Sequence, residues 1–190
     1  MTTNRTLAYW RLLHPAPALM TVLVAGAFVA LAARGLPPIG RFVQIILVET
    51  LMQFSISVVN DYFDRNVDLG RADKPVASGA IPPNVALTLG VAMGVGAIAL
   101  AISFGPWFTA FTAIGLGGGL LYDAGLKYTA FSWLPFALAF PTLPLWAWAG
   151  ANPGGDIPSR LLWVWPVGAA LVLGIHLADT IPDIETDAAA

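Results

Sequence analysis

Long apolar runs separated by short polar clusters set the pattern of this chain. Six of them lie near residues 16–34, 41–60, 83–104, 106–122, 130–149 and 160–178. Each reaches or approaches the roughly 20 residues a helix needs to cross a bilayer. The breaks carry turn chemistry: Pro37-Pro38-Ile39-Gly40, the charged segment 61–82, Gly105-Pro106, Asp123 to Tyr128, and Asn152-Pro153-Gly154-Gly155. The pattern predicts an all-α, polytopic transmembrane helical bundle of about six spans, a single membrane-embedded domain over residues 1–190. Arg5 and Arg11 ahead of the first run superficially suit a secretory signal, but Pro15 and Pro17 fit a helix entry better and five further runs follow.

The second run is two-faced. At about 100° per residue, Glu49, Gln53, Ser57, Asn60, Asp64 and Asp68 fall within an arc of roughly 100°, while Leu51, Met52, Phe54, Ile56 and Val58 fill most of the remainder. One side suits lipid or protein and the other something wet. Ionisable groups at membrane depth are costly and usually line a cavity or a path for ions or substrate.

Composition agrees with this reading: 57% of residues are hydrophobic and 11% charged, with a mean hydropathy of +0.75, against about 25% charged in soluble domains. A net charge of −2 gives no support for nucleic-acid binding, which calls for a basic patch. The absence of cysteine excludes disulfide frameworks, thiolate catalysis and cysteine zinc sites. With the amino terminus inside, the cytoplasmic side holds Arg5, Arg11, Arg65, Arg71, Lys74 and Lys127, and the outer side Arg34, Arg41 and Arg160. That excess predicts a cytoplasmic amino terminus. Trp10 and Trp133 near one boundary, and Trp146, Trp148, Trp163 and Trp165 near the other, read as interfacial anchors. Gly90 with Gly94, and Gly115 with Gly119, have the small-xxx-small spacing of close helix contacts. Leu120 stands where a dinucleotide fingerprint needs its third glycine, and no strand precedes it.

The acids gather in two places. Of eleven, four lie in residues 61–73 (Asp61, Asp64, Asp68, Asp73) and four in 179–187 (Asp179, Asp183, Glu185, Asp187). Each group follows an apolar run at three- and four-residue spacings, which place side chains on one helix face, and the topology puts both on the cytoplasmic side. Carboxylates without nearby histidine or cysteine suit hard divalent cations, and Mg²⁺ in particular is completed by waters and substrate phosphates. Arg65, Arg71, Lys74 and Lys127 on the same side suit phosphate oxygens. A diphosphate bridging two Asp-bound Mg²⁺ ions is the expected occupant.

These residues carry a resemblance. Asn60-Asp61-Tyr62-Phe63-Asp64-Arg65-Asn66-Val67-Asp68 matches the NDxxDxxxD signature of the UbiA superfamily of intramembrane prenyltransferases, and Asp179 to Asp187 resembles its second aspartate-rich motif. Leu13-His14-Pro15, Lys74-Pro75, Ser78-Gly79, and Tyr122 with Leu126-Lys127 fall in register, so the resemblance covers the whole chain. It implies an all-helical membrane fold whose central cavity holds a Mg²⁺-bound prenyl diphosphate. It also implies Mg²⁺-dependent transfer of the isoprenyl group to an aromatic or other lipophilic acceptor, with release of diphosphate, by a multi-pass protein of the cell membrane among its lipids. By that likeness Asn60, Asp61, Asp64 and Asp68 handle one metal, and Asp179, Asp183 and Asp187 the other. Asp61, Asp64 and Asp183 stand at the centre of catalysis, while Asn60, Arg65, Arg71, Lys74, Tyr122 and Lys127 bind the substrate. Lys74 occupies a place where many relatives carry arginine, which keeps a phosphate contact without the bidentate geometry. Family members continue with further helices after the second motif, so the resemblance implies that residues 1–190 are part of a longer prenyltransferase.

A cation-coupled transporter using the acidic clusters as ion sites is the competing reading. It predicts carboxylates near the bilayer midplane, often at broken helices, and Glu49 alone fits that. Glu49 and Gln53 suit contact with an acceptor or hydrogen bonds to neighbouring helices. His176, three residues before Asp179, suits a proton role or a helix-end hydrogen bond.

Overall fold

Seven α-helices and two short 3₁₀ turns, with no strand, make up residues 5–180, the part described by the computed structural model. The helices are α1 (Arg5–Leu12), α2 (Pro15–Ala32), α3 (Ile39–Asp64), α4 (Pro83–Ile102), α5 (Pro106–Asp123), α6 (Leu134–Ala151) and α7 (Val164–Thr180). The 3₁₀ turns are Leu126–Tyr128 and Ser159–Trp163. Proline opens the first turn of α2, α4, α5 and α6, where its missing N–H costs nothing and its fixed φ starts the helix.

The longest helix, α3, is the hub. It packs against α2, α4 and α5, while α6 closes the bundle against α2 and α5 and carries α7 on its far side. Trp165 donates its indole N–H to Thr142 at 3.0 Å, and a Cβ on Gly168 would stand 3.0 Å from Pro141. The α7 backbone therefore runs back along α6. One core unites Ala25, Val29, Ile45, Val48, Ala97, Phe108 and Trp146. A second, smaller one joins Ala8 and Leu12 of α1 to Val58, Val76, Ile81 and Ala86.

Six spans are expected, and four are shown by length and apolar content. Four helices are long and apolar enough to cross a membrane: Pro15–Ala32, Ile39–Asp64, Pro83–Ile102 and Leu134–Ala151. In α5 a glycine run, two threonines and Asp123 dilute the apolar content, and the apolar part of the last helical segment, Ser159–Ile175, is shorter. Trp146 also departs from the anchor reading. It is 2% exposed, donates its indole N–H to Thr112 at 3.0 Å, and stacks on Phe108 with ring centroids 4.8 Å apart. Its helix continues past it, so the indole lies within the bundle. Trp10 and Trp163, by contrast, are exposed.

Glycine sets how closely α3 is approached. A Cβ on Gly90 would stand 2.7 Å from Val59, and one on Gly119 would stand 2.5 Å from Ile56, so both glycine pairs serve packing. At Gly150 the obstacles are the Phe108 ring at 2.6 Å and Ile45 at 3.2 Å. Gly150→Ala is expected to destabilise the fold by about 1–3 kcal/mol through overpacking, read as a lower thermal midpoint in detergent. An unchanged midpoint would mean that the ring swings clear.

Candidate functional site

Successive helices alternate in direction, which brings the end of α3, the start of α2 and the turn after α5 together at one end of the bundle. Asp61, 2% exposed, sits at their centre. Its Oδ1 accepts a hydrogen bond from Lys74 Nζ at 2.9 Å and lies 2.9 Å from His14 Nε2. Lys74 Nζ is also 3.5 Å from Asp68 Oδ2. One turn along α3, Lys127 Nζ donates to both oxygens of Asp64, at 2.5 and 2.7 Å, and the Tyr128 hydroxyl donates to Oδ1 at 3.1 Å. Asn60 Nδ2 ties the helices together, donating to Asp64 Oδ2 at 3.0 Å and Asp123 Oδ1 at 2.9 Å.

Local structure holds these groups in place. The Asp68 N–H continues the helical ladder to the Asp64 carbonyl at 2.8 Å, and the Ile81 N–H closes the loop onto the Pro75 carbonyl at 3.0 Å. Val76 and Ile81 bury the loop's apolar side in the second core. After α5, Gly125 adopts φ 133°, open to glycine but strained for other residues, and this turn brings Lys127 and Tyr128 back over Asp64. Burial works against the Lys74 ammonium, but its hydrogen bond to Asp61 and the attraction of Asp61 and Asp68 outweigh this, raising its pKa above the ordinary lysine value.

The cluster stands at the mouth of an open cavity of about 350 Å³ lined by α2, α3, α5 and α6. Glu49, Gln53, Ser57 and Asn60, predicted for the wet side of α3, all line it. Between them the walls are apolar, formed by residues such as Ile56, Phe136 and Phe140. Glu49 is 1% exposed, and its Oε1 accepts from Gln53 Nε2 at 2.8 Å. Glu49 Oε2, Asp61 Oδ2 and Asp123 Oδ2 have no hydrogen-bond partner among the described residues.

Of the predicted site residues, Asn60, Asp61, Asp64, Asp68, Lys74 and Lys127 come together. Tyr122 lines the cavity edge-on to Phe136, with centroids 4.9 Å apart. Arg65 does not join them; it lies 4.4 Å over the Tyr62 ring and donates to the Tyr62 carbonyl at 2.6 Å. Arg71 is exposed at the rim, held by Asp68 at 3.1 Å and Asp73 at 2.7 Å. Asp183 and Asp187 lie outside the described residues, as do the side chains of Asp179 and His176. The backbone of α7 leads its last turn toward the end of the bundle that carries Asp61 and Asp64.

Three residues without a predicted role enter the site: His14, Asp123 and Tyr128. A histidine set directly before a proline-initiated span, and an acid closing an apolar glycine-rich run, are the signals that point to the first two.

Among the described residues, no three carboxylate or imidazole groups form a ready metal cage. The donors are nevertheless hard oxygens, and Asp61 and Asp123 each keep one buried oxygen unpartnered. That set fits Mg²⁺, which takes one or two carboxylates and fills its shell with water and phosphate oxygens.

Comparison with known proteins places this geometry among relatives. The profile of the UbiA prenyltransferase family matches residues 18–190. The 4-hydroxybenzoate octaprenyltransferase of Vibrio atlanticus (strain LGP32) is 25% identical over 193 residues, covering 98% of this chain and 67% of that protein. A solved digeranylgeranylglyceryl phosphate synthase superposes with a TM-score of 0.84 at 15% identity, over 97% of this chain and 66% of the other. A UbiA homolog from Archaeoglobus fulgidus, bound to GPP and Mg²⁺, gives 0.74 at 18% identity, over 95% and 65%. The chain thus spans about two thirds of the length of these proteins, and the structural likeness shows a shared fold.

Proposed function

The chain belongs to the UbiA prenyltransferase family, and from that membership we propose that residues 1–190 carry the metal and donor site of a prenyltransferase. The reaction is Mg²⁺-dependent transfer of an isoprenyl group from a prenyl diphosphate to an aromatic or other lipophilic acceptor, releasing diphosphate. The observation that carries this reading is the meeting of Asp61, Asp64 and Asp68 with Lys74 and Lys127 at the mouth of an apolar cavity.

Asn60, Asp61, Asp64 and Asp68 would hold one Mg²⁺, and Asp179, Asp183 and Asp187 a second. Bound there, the metal would neutralise charge developing on the departing diphosphate. Lys74 and Lys127 offer fixed positive charge for the diphosphate oxygens, with Arg71 at the outer rim. In the reaction the allylic C–O bond breaks and its electron pair leaves with diphosphate. The allylic carbon then bonds the acceptor, whose displaced hydrogen leaves as a proton. Ile56, Phe136 and Phe140 exclude water from the cationic carbon, which water would otherwise capture.

We place the amino terminus and both acidic motifs on the cytoplasmic side of the cell membrane, with lipid against the outer helix faces, because six of the nine basic residues fall there. The contacts of His14 with Asp61 and of Lys127 with Asp64 support one common side for the first motif and its loops. The transporter reading draws no support from the site: Asp61, Asp64, Asp68 and Asp123 stand at helix ends beside basic groups, and Glu49 is the exception.

A non-hydrolysable prenyl diphosphate analogue, titrated by calorimetry with and without Mg²⁺, tests the proposal. Binding that requires the metal is expected. Metal-independent binding, or none, counts against it.

A further inference from the structure

Glu49 is the acid of this cavity that neither the metal nor the diphosphate uses. Of the α3 residues in the lining it lies farthest from the mouth, about 16 Å from Asn60 at the helical rise per residue. It is 1% exposed, and its one hydrogen bond among the described residues stays within its own helix, from Gln53 Nε2 to Oε1 at 2.8 Å. Oε2 has no partner among them. The neighbouring indoles do not answer it: Trp146 donates to Thr112 and Trp165 to Thr142, each at 3.0 Å. A carboxyl oxygen left unpaired in an apolar wall is costly, and a ligand that brings it a donor removes that cost.

The rest of the lining decides what kind of donor fits. Among the described residues that line the cavity there are two acids, Glu49 and Asp123, and no lysine or arginine. Lys74 and Lys127 are paired with Asp61 and Asp64 at the mouth. An anionic group beside Glu49 would meet a carboxyl with no cation to compensate it. A neutral hydroxyl can donate to Glu49 and accept the second amide N–H of Gln53. Gln53 lies about 10 Å from Asn60 along α3, which leaves room for a single aromatic ring, about 6 Å between opposite substituents, with Ile56 and Phe136 as apolar neighbours. We infer that Glu49 and Gln53 form the far end of the acceptor subsite and select a neutral aromatic acceptor with a hydroxyl at that end, against one bearing a carboxylate or phosphate there. This deepens the proposed transfer reaction and rests on it.

The test titrates a matched pair, 4-hydroxybenzyl alcohol and 4-hydroxybenzoate, by calorimetry into the full chain in nanodiscs with Mg²⁺ and a non-hydrolysable prenyl diphosphate analogue, with empty nanodiscs as the blank. The two probes share a ring and differ in the charge of one substituent. The alcohol is expected to bind at least about tenfold more tightly. Glu49→Gln, which keeps the size and adds a donor for a carboxylate, should narrow that ratio to less than about threefold. Glu49→Leu, which removes the hydrogen bond, should weaken binding of the alcohol at least about tenfold. Cooperative thermal unfolding identifies which variants fold, and the wild-type pair is decisive without them. A wild-type preference below about threefold, or one that is unchanged in every folded variant, overturns the selection. Binding of the prenyl diphosphate analogue with neither probe also overturns it and leaves the prenyl diphosphate reading standing. No binding of the analogue overturns both.

Discussion

Asp64→Asn is expected to lower Mg²⁺-dependent diphosphate release by about a thousandfold or more, measured with a prenyl diphosphate and any acceptor that supports turnover. The substitution keeps the side chain's size and removes its charge at the point where Lys127, Tyr128 and Asn60 converge. Under the proposed site, a metal ligand and the anchor of a diphosphate-facing lysine would be lost together, which is why the effect should exceed that of any single phosphate contact. Asp73→Asn is the control. Asp73 is exposed and paired with Arg71, so its loss should change the rate less than about threefold. Turnover within tenfold of wild type in Asp64→Asn would remove Asp64 from the catalytic assignment.

Lys74→Met should act on both fold and chemistry. Asp61 is almost fully buried, and Lys74 is one of its two partners. Removing the ammonium leaves the carboxylate with His14, and the expected loss is about 2 kcal/mol, seen as a lower thermal midpoint. The same substitution removes a cation from the proposed diphosphate site, so Mg²⁺-dependent donor affinity should fall about tenfold or more. The sign with pH follows from the raised pKa of Lys74: the pairing contributes fully below the ordinary lysine range and is lost as pH rises through the raised value. The stability gap between wild type and Lys74→Met should therefore stay level from about pH 6 to about pH 9 and narrow only in strong alkali. A gap absent at neutral pH would show that His14 alone satisfies Asp61.

Periodicity made the wet side of α3 legible, since one helix carries its own phase, and Glu49, Gln53, Ser57 and Asn60 line the cavity where the arc places them. The first acidic cluster was legible for the same reason. The contacts of His14, Asp123 and Tyr128 were not, because these residues arrive from three other segments and only tertiary packing brings them to Asp61, Asn60 and Asp64. Of the six expected spans, four meet the length and apolar content of a crossing helix; α5 falls short in apolar content because it carries glycines that admit Ile56 and Met52 of α3. Trp146 misled because position along a span cannot separate an indole at the lipid boundary from one inside the bundle. Arg65 is locally determined but ambiguous in a sequence, since Tyr62 competes with phosphate for its guanidinium.

The small core that joins Ala8 and Leu12 to Val76 and Ile81 makes the first helix a splint for the segment bearing Lys74. Trimming the chain up to Leu12, or grafting a bulky purification handle there, would loosen that splint and blunt the site from a distance. A handle for isolating the active protein belongs at another position.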